Sequence, residues 1–450
     1  MSQNTPVLCK TELQYRRIKP QYGPYYQCIE DSYEEFKRSY ERNFSQKYGY
    51  LRSHIEKVIY QYLDCGILHN GFARIKCRAC SHEYLLAFSC KRRHFCPSCH
   101  AKRIVEFGEW LCGNVLKKVP HRHFVFSIPK ILRIYFLFNR SLLKELSRIS
   151  WEVIKDYYKS TCRKEGTPAA VAVIQTFGDY LSFNPHMHIL AADGCFGDDG
   201  FFYAPSVIDT ASLEKLFIYK IFKMLLSKSL IGQRTIELIL SWKHSGFAVY
   251  CGNRIYPKEA SSTENMARYI IRASFSQERM KYYPDEAKVS YQSKYGKDTK
   301  EFSSLEWMAA LVSHIPDRGG QTVRYLGCYS NATRGRLKKE ENQPQFHIIE
   351  DESPKNLNRS WARLIKKIYE VDPLLCPKCG GDMRIIAFID DYKIVKKILD
   401  YLGIDEFKRN RPPPKITTFP DEFDDYVRDD YIDCDQCARV IIRLQDIIMS

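Results

Sequence analysis

Two Cys-x-x-Cys pairs, Cys77/Cys80 and Cys96/Cys99, stand fifteen residues apart. That spacing lets two knuckle turns converge on one tetrahedral zinc. A segment built in this way folds around its metal, because the apparent binding free energy of about 10–16 kcal/mol is also folding free energy. The expected ligand set of this structural site is Cys77, Cys80, Cys96 and Cys99. Cys65, Cys90, His69, His82 and His94 are spare donors, available to complete a second site or to replace one of the four. A third pair, Cys376/Cys379, is followed by Gly-Gly and has the form of one knuckle of a zinc ribbon. Cys434/Cys437, fifty-four residues further on, is the candidate for the other knuckle.

Seventeen cysteines in 450 residues, clustered in this way and with no apolar signal core at the start, read as metal ligands in a reducing compartment. The expected location is the cytoplasm. No run of about 18 apolar residues is present, so no membrane partner is expected. Lysine and arginine number 69 against 53 acidic residues, a net charge of +16, which suits a polyanion. The 31 tyrosines and 25 phenylalanines add faces on which unpaired bases can stack. No Gly-x4-Gly-Lys-Ser/Thr loop occurs, so no nucleotide cofactor is expected.

Three runs have strand character, 123–128 (HFVFSI), 170–177 (AVAVIQTF) and 187–192 (MHILAA), and helical stretches at 139–158 and 212–230 separate and follow them. The pattern predicts a multidomain α+β protein with helices packed on a sheet. Its expected units are an amino-terminal arm (1–50), a zinc module ending in a helix at 100–116 (51–116), a sheet domain (117–275), a basic helical region (276–370) and a zinc-ribbon-like region with an acidic tail (371–450).

His186 and His188 are two apart within an apolar run, so on a strand both project from one face while Met187 points into the core. Two imidazoles on one strand supply part of a divalent-metal site whose open positions suit a phosphate. Asp179 and Gln175 are the candidates for a third ligand, and two histidines satisfied within a sheet are the competing reading. Ser261-x-x-Glu264 has the form of a capping box, and Met266, Tyr269, Ile270 and Ala273 fall on one helical stripe. Tyr269 is thus expected on the inward face, as a core ring or as a nucleophile. Arg268 and Arg272 flank it with cations suited to clamping a phosphate.

Together these stretches resemble the rolling-circle transposases of the insertion-sequence family numbered 91. The likeness is carried by FARIKCRACSHEYLLAFSCKRRHFCPSC (72–99), HRHFVFSIP (121–129), IQTFGDYLSFNPHMHILAADG (174–194), MARYIIRAS (266–274), VRYLGCYSNATRG (323–335) and LLCPKCGGDMRIIAFI (374–389). The resemblance implies a nuclease domain of the His-hydrophobe-His (HUH) type with an antiparallel sheet. It also implies magnesium or manganese on His186 and His188, and attack by Tyr269 on single-stranded DNA at the element ends, leaving a 5′-phosphotyrosine and a free 3′ hydroxyl. Two-tyrosine members of that family carry a second tyrosine four residues away. Asn265 stands there in this chain, leaving Tyr282 or Tyr283 as candidates for a second nucleophile.

Arg92 and Arg93, beside the second cysteine pair, and Arg324, Arg334 and Arg336, interleaved with Tyr325 and Tyr329, are the further expected DNA contacts. From Asp421 to Asp435 there are eight acidic residues, a stretch read as solvated surface. Two other functions fit these motifs: a rolling-circle replication initiator or relaxase, and a non-catalytic zinc-dependent nucleic-acid-binding protein.

Overall fold

The computed structural model describes residues 19–92, 94–162, 166–294, 296, 298–339 and 374–404. In chain order the elements begin with α1 (Pro24–Asn43), α2 (Ser45–Tyr48), α3 (His54–Leu63), β1 (Phe72–Cys77), β2 (Glu83–Ala87) and α4 (Pro97–Trp110). Next come β3 (His121–Ser127), α5 (Arg133–Phe138), α6 (Ser141–Thr161), β4 (Thr167–Phe177), β5 (Phe183–Phe196), β6 (Phe202–Tyr203), α7 (Thr210–Ser227), α8 (Gln233–Ser241) and β7 (Ala248–Cys251). The last are α9 (Ala260–Ile270), β8 (Met280–Tyr283), β9 (Lys288–Gln292), β10 (Thr299–Ser303), α10 (Ser304–Val312), β11 (Val323–Gly327), α11 (Asn331–Lys339), β12 (Met383–Ile389) and α12 (Tyr392–Tyr401). This is the mixed α+β content that the sequence predicts. Among the described residues no helix is long and apolar enough to cross a membrane.

The largest sheet runs β11-β4-β5-β3-β7, with β6 added beside β5, and every pairing is antiparallel. Strands β4 and β5 read as nearly continuous apolar runs because both of their faces are covered. On one face Ala170, Ala172, Met187, Ile189 and Ala191 pack under α6 and α7. On the other, Val171, Val173, Leu190 and Ala192 meet Phe107 of α4 and Ile270 of α9. Period-two alternation puts His186 and His188 on this second face, and Met187 is fully buried on the first.

Within the expected arm (1–50), the described helix α1 is part of a core. Tyr25, Tyr26, Ile29, Tyr33, Phe36 and Tyr40 recur at helical spacing along α1 and are buried against Trp307 and Met308 of α10. Nor is the region after 276 wholly helical: β8, β9 and β10 form a three-stranded sheet whose Met280, Val289 and Phe302 join that same core. In a third sheet, β12-β1-β2, the strand after Cys379 pairs antiparallel with the strand before Cys77. Helix α12 then packs Val395 and Leu399 onto Leu68, Phe72 and Leu85.

Candidate functional site

Register brings the site together on the face of the main sheet that carries α4 and α9. Gln175 of β4 lies directly opposite His186 of β5, and Val173 lies opposite His188. From the other side β3 contributes His123, whose Nε2 is 2.8 Å from His188 Nδ1, with the two rings stacked 5.1 Å apart. Burial pushes His123 down to about 4 and His186 to about 4. Burial, then the neighbouring His186, His123 and Arg272, push His188 to about 2. All three rings are therefore neutral near pH 7, as ligand imidazoles must be. His186 Nδ1 donates to the Asn184 carbonyl at 2.7 Å, leaving Nε2 as its acceptor. His188 Nε2 is buried and has no partner among the described residues.

Tyr269 stands over this group. Its ring meets that of His188 edge-on at 5.6 Å and that of His123 at 6.0 Å, yet it remains 38% exposed. The stripe reading is corrected here: Ala267 and Ile270 are the buried positions of α9, and the helix ends before Ala273. No capping box forms either. Ser261 lies inside α9, whose N-cap is Glu259, and Glu264 instead accepts from Arg268 Nη2 at 2.6 Å. Arg272 Nη1 donates to the Tyr269 hydroxyl at 3.3 Å, and its guanidinium lies 4.8 Å from the centre of that ring.

The two candidate third ligands separate. Gln175 Nε2 donates to the Ile270 carbonyl at 2.7 Å, tying the end of α9 to β4, while its Oε1 is buried and unpartnered among the described residues. Asp179 is exposed in the turn between β4 and β5, where its charge acts on Tyr291. Among the described residues, no carboxylate or thiolate gathers with His186 and His188. Left-handed backbone at Tyr180 and Leu181 reverses the chain there. His123 was missed in the sequence, although His121-Arg-His123 has the same two-residue period as the histidine pair.

Other expected residues scatter. Arg324 is half-buried on β11, Arg334 lies over the Trp110 and Tyr325 rings, and Arg336 is exposed on α11. Tyr325 and Tyr329 are buried rather than lining a groove, and Tyr329 meets His121 Nε2 at 2.8 Å. Arg92 donates to Gln61, and Arg93 lies outside the described residues. Tyr282 donates to Asp31 of α1 at 3.1 Å, away from the histidines.

The cysteines form two tetrads, dividing the expected ligand set. Cys96 and Cys99 join Cys65 and Cys90, with Sγ separations of 3.7 Å (Cys65–Cys96), 3.9 Å (Cys65–Cys99) and 3.7 Å (Cys90–Cys99). Cys77 and Cys80 join Cys376 and Cys379, with separations of 3.6 Å (Cys77–Cys379) and 3.4 Å (Cys80–Cys376). A zinc tetrahedron with Zn–S arms of about 2.3 Å has edges of about 3.8 Å, which these separations approach. The hairpin explains the division. Strand β1 carries the chain from Phe72 to Cys77 and β2 brings it back, so Cys90 returns beside Cys65, a strand length from Cys77. Backbone N–H groups of Cys80 and Ala79, aided by the neighbouring thiols, hold the Cys77 thiol down at about 7. Thiol hydrogen bonds from Cys65, Cys90 and Cys96 hold Cys99 well below the usual range. Cys434 and Cys437 lie outside the described residues.

The family described as a transposase zinc-binding domain matches residues 34–128, and that described as a putative transposase matches 169–336. The transposase for insertion sequence element IS801 of Pseudomonas savastanoi pv. phaseolicola is 23% identical over 393 residues, 81% of this chain and 91% of the relative. A putative transposase, y4qJ, of Sinorhizobium fredii is 26% identical over 125 residues, 28% of this chain and 31% of that protein. No solved structure matches the chain. With a zinc-binding domain followed by a transposase domain, and a relative aligned along most of both lengths, the chain belongs to the transposases of the insertion-sequence family numbered 91.

Proposed function

We propose that this transposase cleaves and rejoins single-stranded DNA with Tyr269 as nucleophile, on an HUH-type site where His186, His188 and Gln175 hold magnesium or manganese. The observation that carries this reading is a half-exposed phenol set edge-on to a neutral histidine whose Nε2 is buried and unpartnered. Gln175 Oε1, also buried and unpartnered, is opposite His186 in register and adds an oxygen donor suited to a hard cation. A bound divalent ion would act as a Lewis acid on the scissile phosphate. The Tyr269 oxygen forms a bond to phosphorus as the bond to the 3′ oxygen breaks. The phenol proton is lost and the 3′ oxygen ends as a hydroxyl. Attack by a 3′ hydroxyl reverses these changes and restores the tyrosine, with no triphosphate consumed. Arg272 supports the step by placing positive charge against the phenol oxygen.

In this reading the nuclease unit is 117–275 together with β11, which completes its sheet, and the zinc unit is 51–116 together with Cys376, Cys379 and β12, with one structural zinc in each cysteine tetrad. Tyr269→Phe removes one oxygen and keeps the ring. Wild-type protein incubated with labelled single strands and manganese should give a denaturation-resistant adduct at the 5′ phosphate, and the Phe variant none. A wild-type protein that cleaves without any adduct would indicate water as nucleophile. One that binds DNA and never cleaves would indicate a zinc-dependent binding protein.

A further inference from the structure

Beside the histidine and tyrosine group lies a cavity of about 450 Å³ bounded by α4, α6, the end of β4, the chain after α9 and the segment leading into β11. Arg103, Arg140, Lys144, Arg272 and Arg324 line it, and Asp317 is the one carboxylate among its lining residues. Asp317 is already held by Arg52 at 2.7 Å and lies 3.5 Å from Arg140. Burial, then repulsion from Arg52, push Arg140 down to about 10, and burial lowers Arg324. Both are arginines and stay charged at neutral pH, so among the described residues five cations and one carboxylate line the hollow. Arg272 Nε is buried with no partner among the described residues. Polar groups complete the wall, among them Ser147, Thr176, Ser274 and Thr322.

We propose that this cavity is a second phosphate subsite, which seats a phosphodiester of the same DNA strand next to the one presented to Tyr269. The inference rests on the single-strand reading above, and continuity supports it: Gln175 and Arg272 belong both to the histidine site and to the cavity wall. It also gives the zinc unit a part in the cleavage cleft. Cys99 of the first tetrad and Arg103 are four apart on α4, on one helical face, and the Arg103 guanidinium lies 5.7 Å from the centre of the Phe107 ring one turn further on. The tetrad thus fixes the helix that holds Arg103 against the cavity.

Binding of a single-stranded oligonucleotide can be measured across salt concentrations in the non-cleaving Tyr269→Phe protein, without divalent ions. The double variant Lys144→Ala/Arg324→Ala should show a log-log salt slope shallower by roughly 0.7, the value for one phosphate no longer neutralised, with affinity down roughly fivefold at 0.1 M salt. Lys144 is exposed and Arg324 half-buried, and an unchanged urea unfolding midpoint would report that the variant is folded. Lys215→Ala/Lys223→Ala, on the exposed side of α7, removes equal charge elsewhere and should leave the slope in place. If the parent binds single strands and the cavity variant matches it, or the α7 variant loses as much, the subsite is refuted while the Tyr269 reading stands. If the parent does not bind single strands, both fall.

Discussion

At His188 the two ring nitrogens face different surroundings, Nδ1 toward His123 at 2.8 Å and Nε2 into a buried space without a partner among the described residues. A proton on Nδ1, donated to His123 Nε2, leaves the lone pair on Nε2 for a cation. A hydrogen-bond acceptor behind a ligand histidine fixes its tautomer and raises its basicity, and losing such a partner typically lowers metal affinity about 10–100-fold. His123→Ala should therefore weaken manganese binding by about that factor while strand binding without metal is kept. An unchanged manganese titration would refute the role. Two other buried histidines report through stability. His121, beside Tyr329, and His314, beside Thr176 and the Leu181 carbonyl, are both pushed down to about 4, chiefly by burial. The unfolded chain takes up protons at these positions from about pH 6.5 downward, which the folded chain does not. Stability is complete above that pH and falls toward pH 4, by about 1.4 kcal/mol per pH unit for each histidine. Urea unfolding at pH 7 and pH 5 checks this, and His314→Gln should flatten the dependence.

Helices α4 and α9 meet where Gly108 faces Arg268 and Glu264. A Cβ at Gly108 would sit 3.1 Å from Arg268 Cγ and 3.3 Å from Glu264 Cγ. Since α9 carries Tyr269, its seat on α4 sets the height of the phenol above the histidines. Gly108→Leu should push the helices apart, lower stability by about 1–3 kcal/mol and reduce adduct formation, with zinc content unchanged. Wild-type cleavage by this variant would show that the approach of the two helices is immaterial. At this scale the sequence was legible where periodicity was local. The runs at 170–177 and 187–192 are strands because apolar residues fill both faces, and they lie within longer strands that extend to Thr167 and Phe196. Tyr269 was misread as inward because Met266 and Ile270 dominate the helical pattern, and nothing local tells that the last turn of α9 opens onto a polar cleft. The α1 tyrosines gave no sign of their partner, since Trp307 lies more than 260 residues away in the chain.

Across the whole molecule the cysteines show the same limit, since their types and pairs were legible but their partners were not. Neighbouring pairs suggest one shared metal, and only the β1–β2 hairpin, which returns Cys90 to Cys65, separates them. The second tetrad is then completed from the far end of the chain. Cys376 N–H bonds the Gly381 carbonyl, Arg78 N–H bonds the Asp382 carbonyl, and β12 lies along β1 from Phe72 to Cys77. Apart from those strand bonds, few buried side chains hold this junction: Ile75, Cys77, Cys376 and Met383 make one small cluster, and α12 supplies Val395 and Leu399 to another. A metal binding with about 10–16 kcal/mol of apparent free energy would outweigh so small an apolar contact. The chain should therefore carry two equivalents of zinc, and Cys376→Ser/Cys379→Ser should carry one, because the tetrad of Cys65, Cys90, Cys96 and Cys99 draws nothing from the far end. The same variant should expose 374–404 to protease while leaving the main sheet protected. Two equivalents retained in the variant would show that Cys376 and Cys379 are not ligands. One equivalent in the wild type, unchanged in the variant, would leave β12 and α12 held on the zinc unit by strand pairing and packing alone.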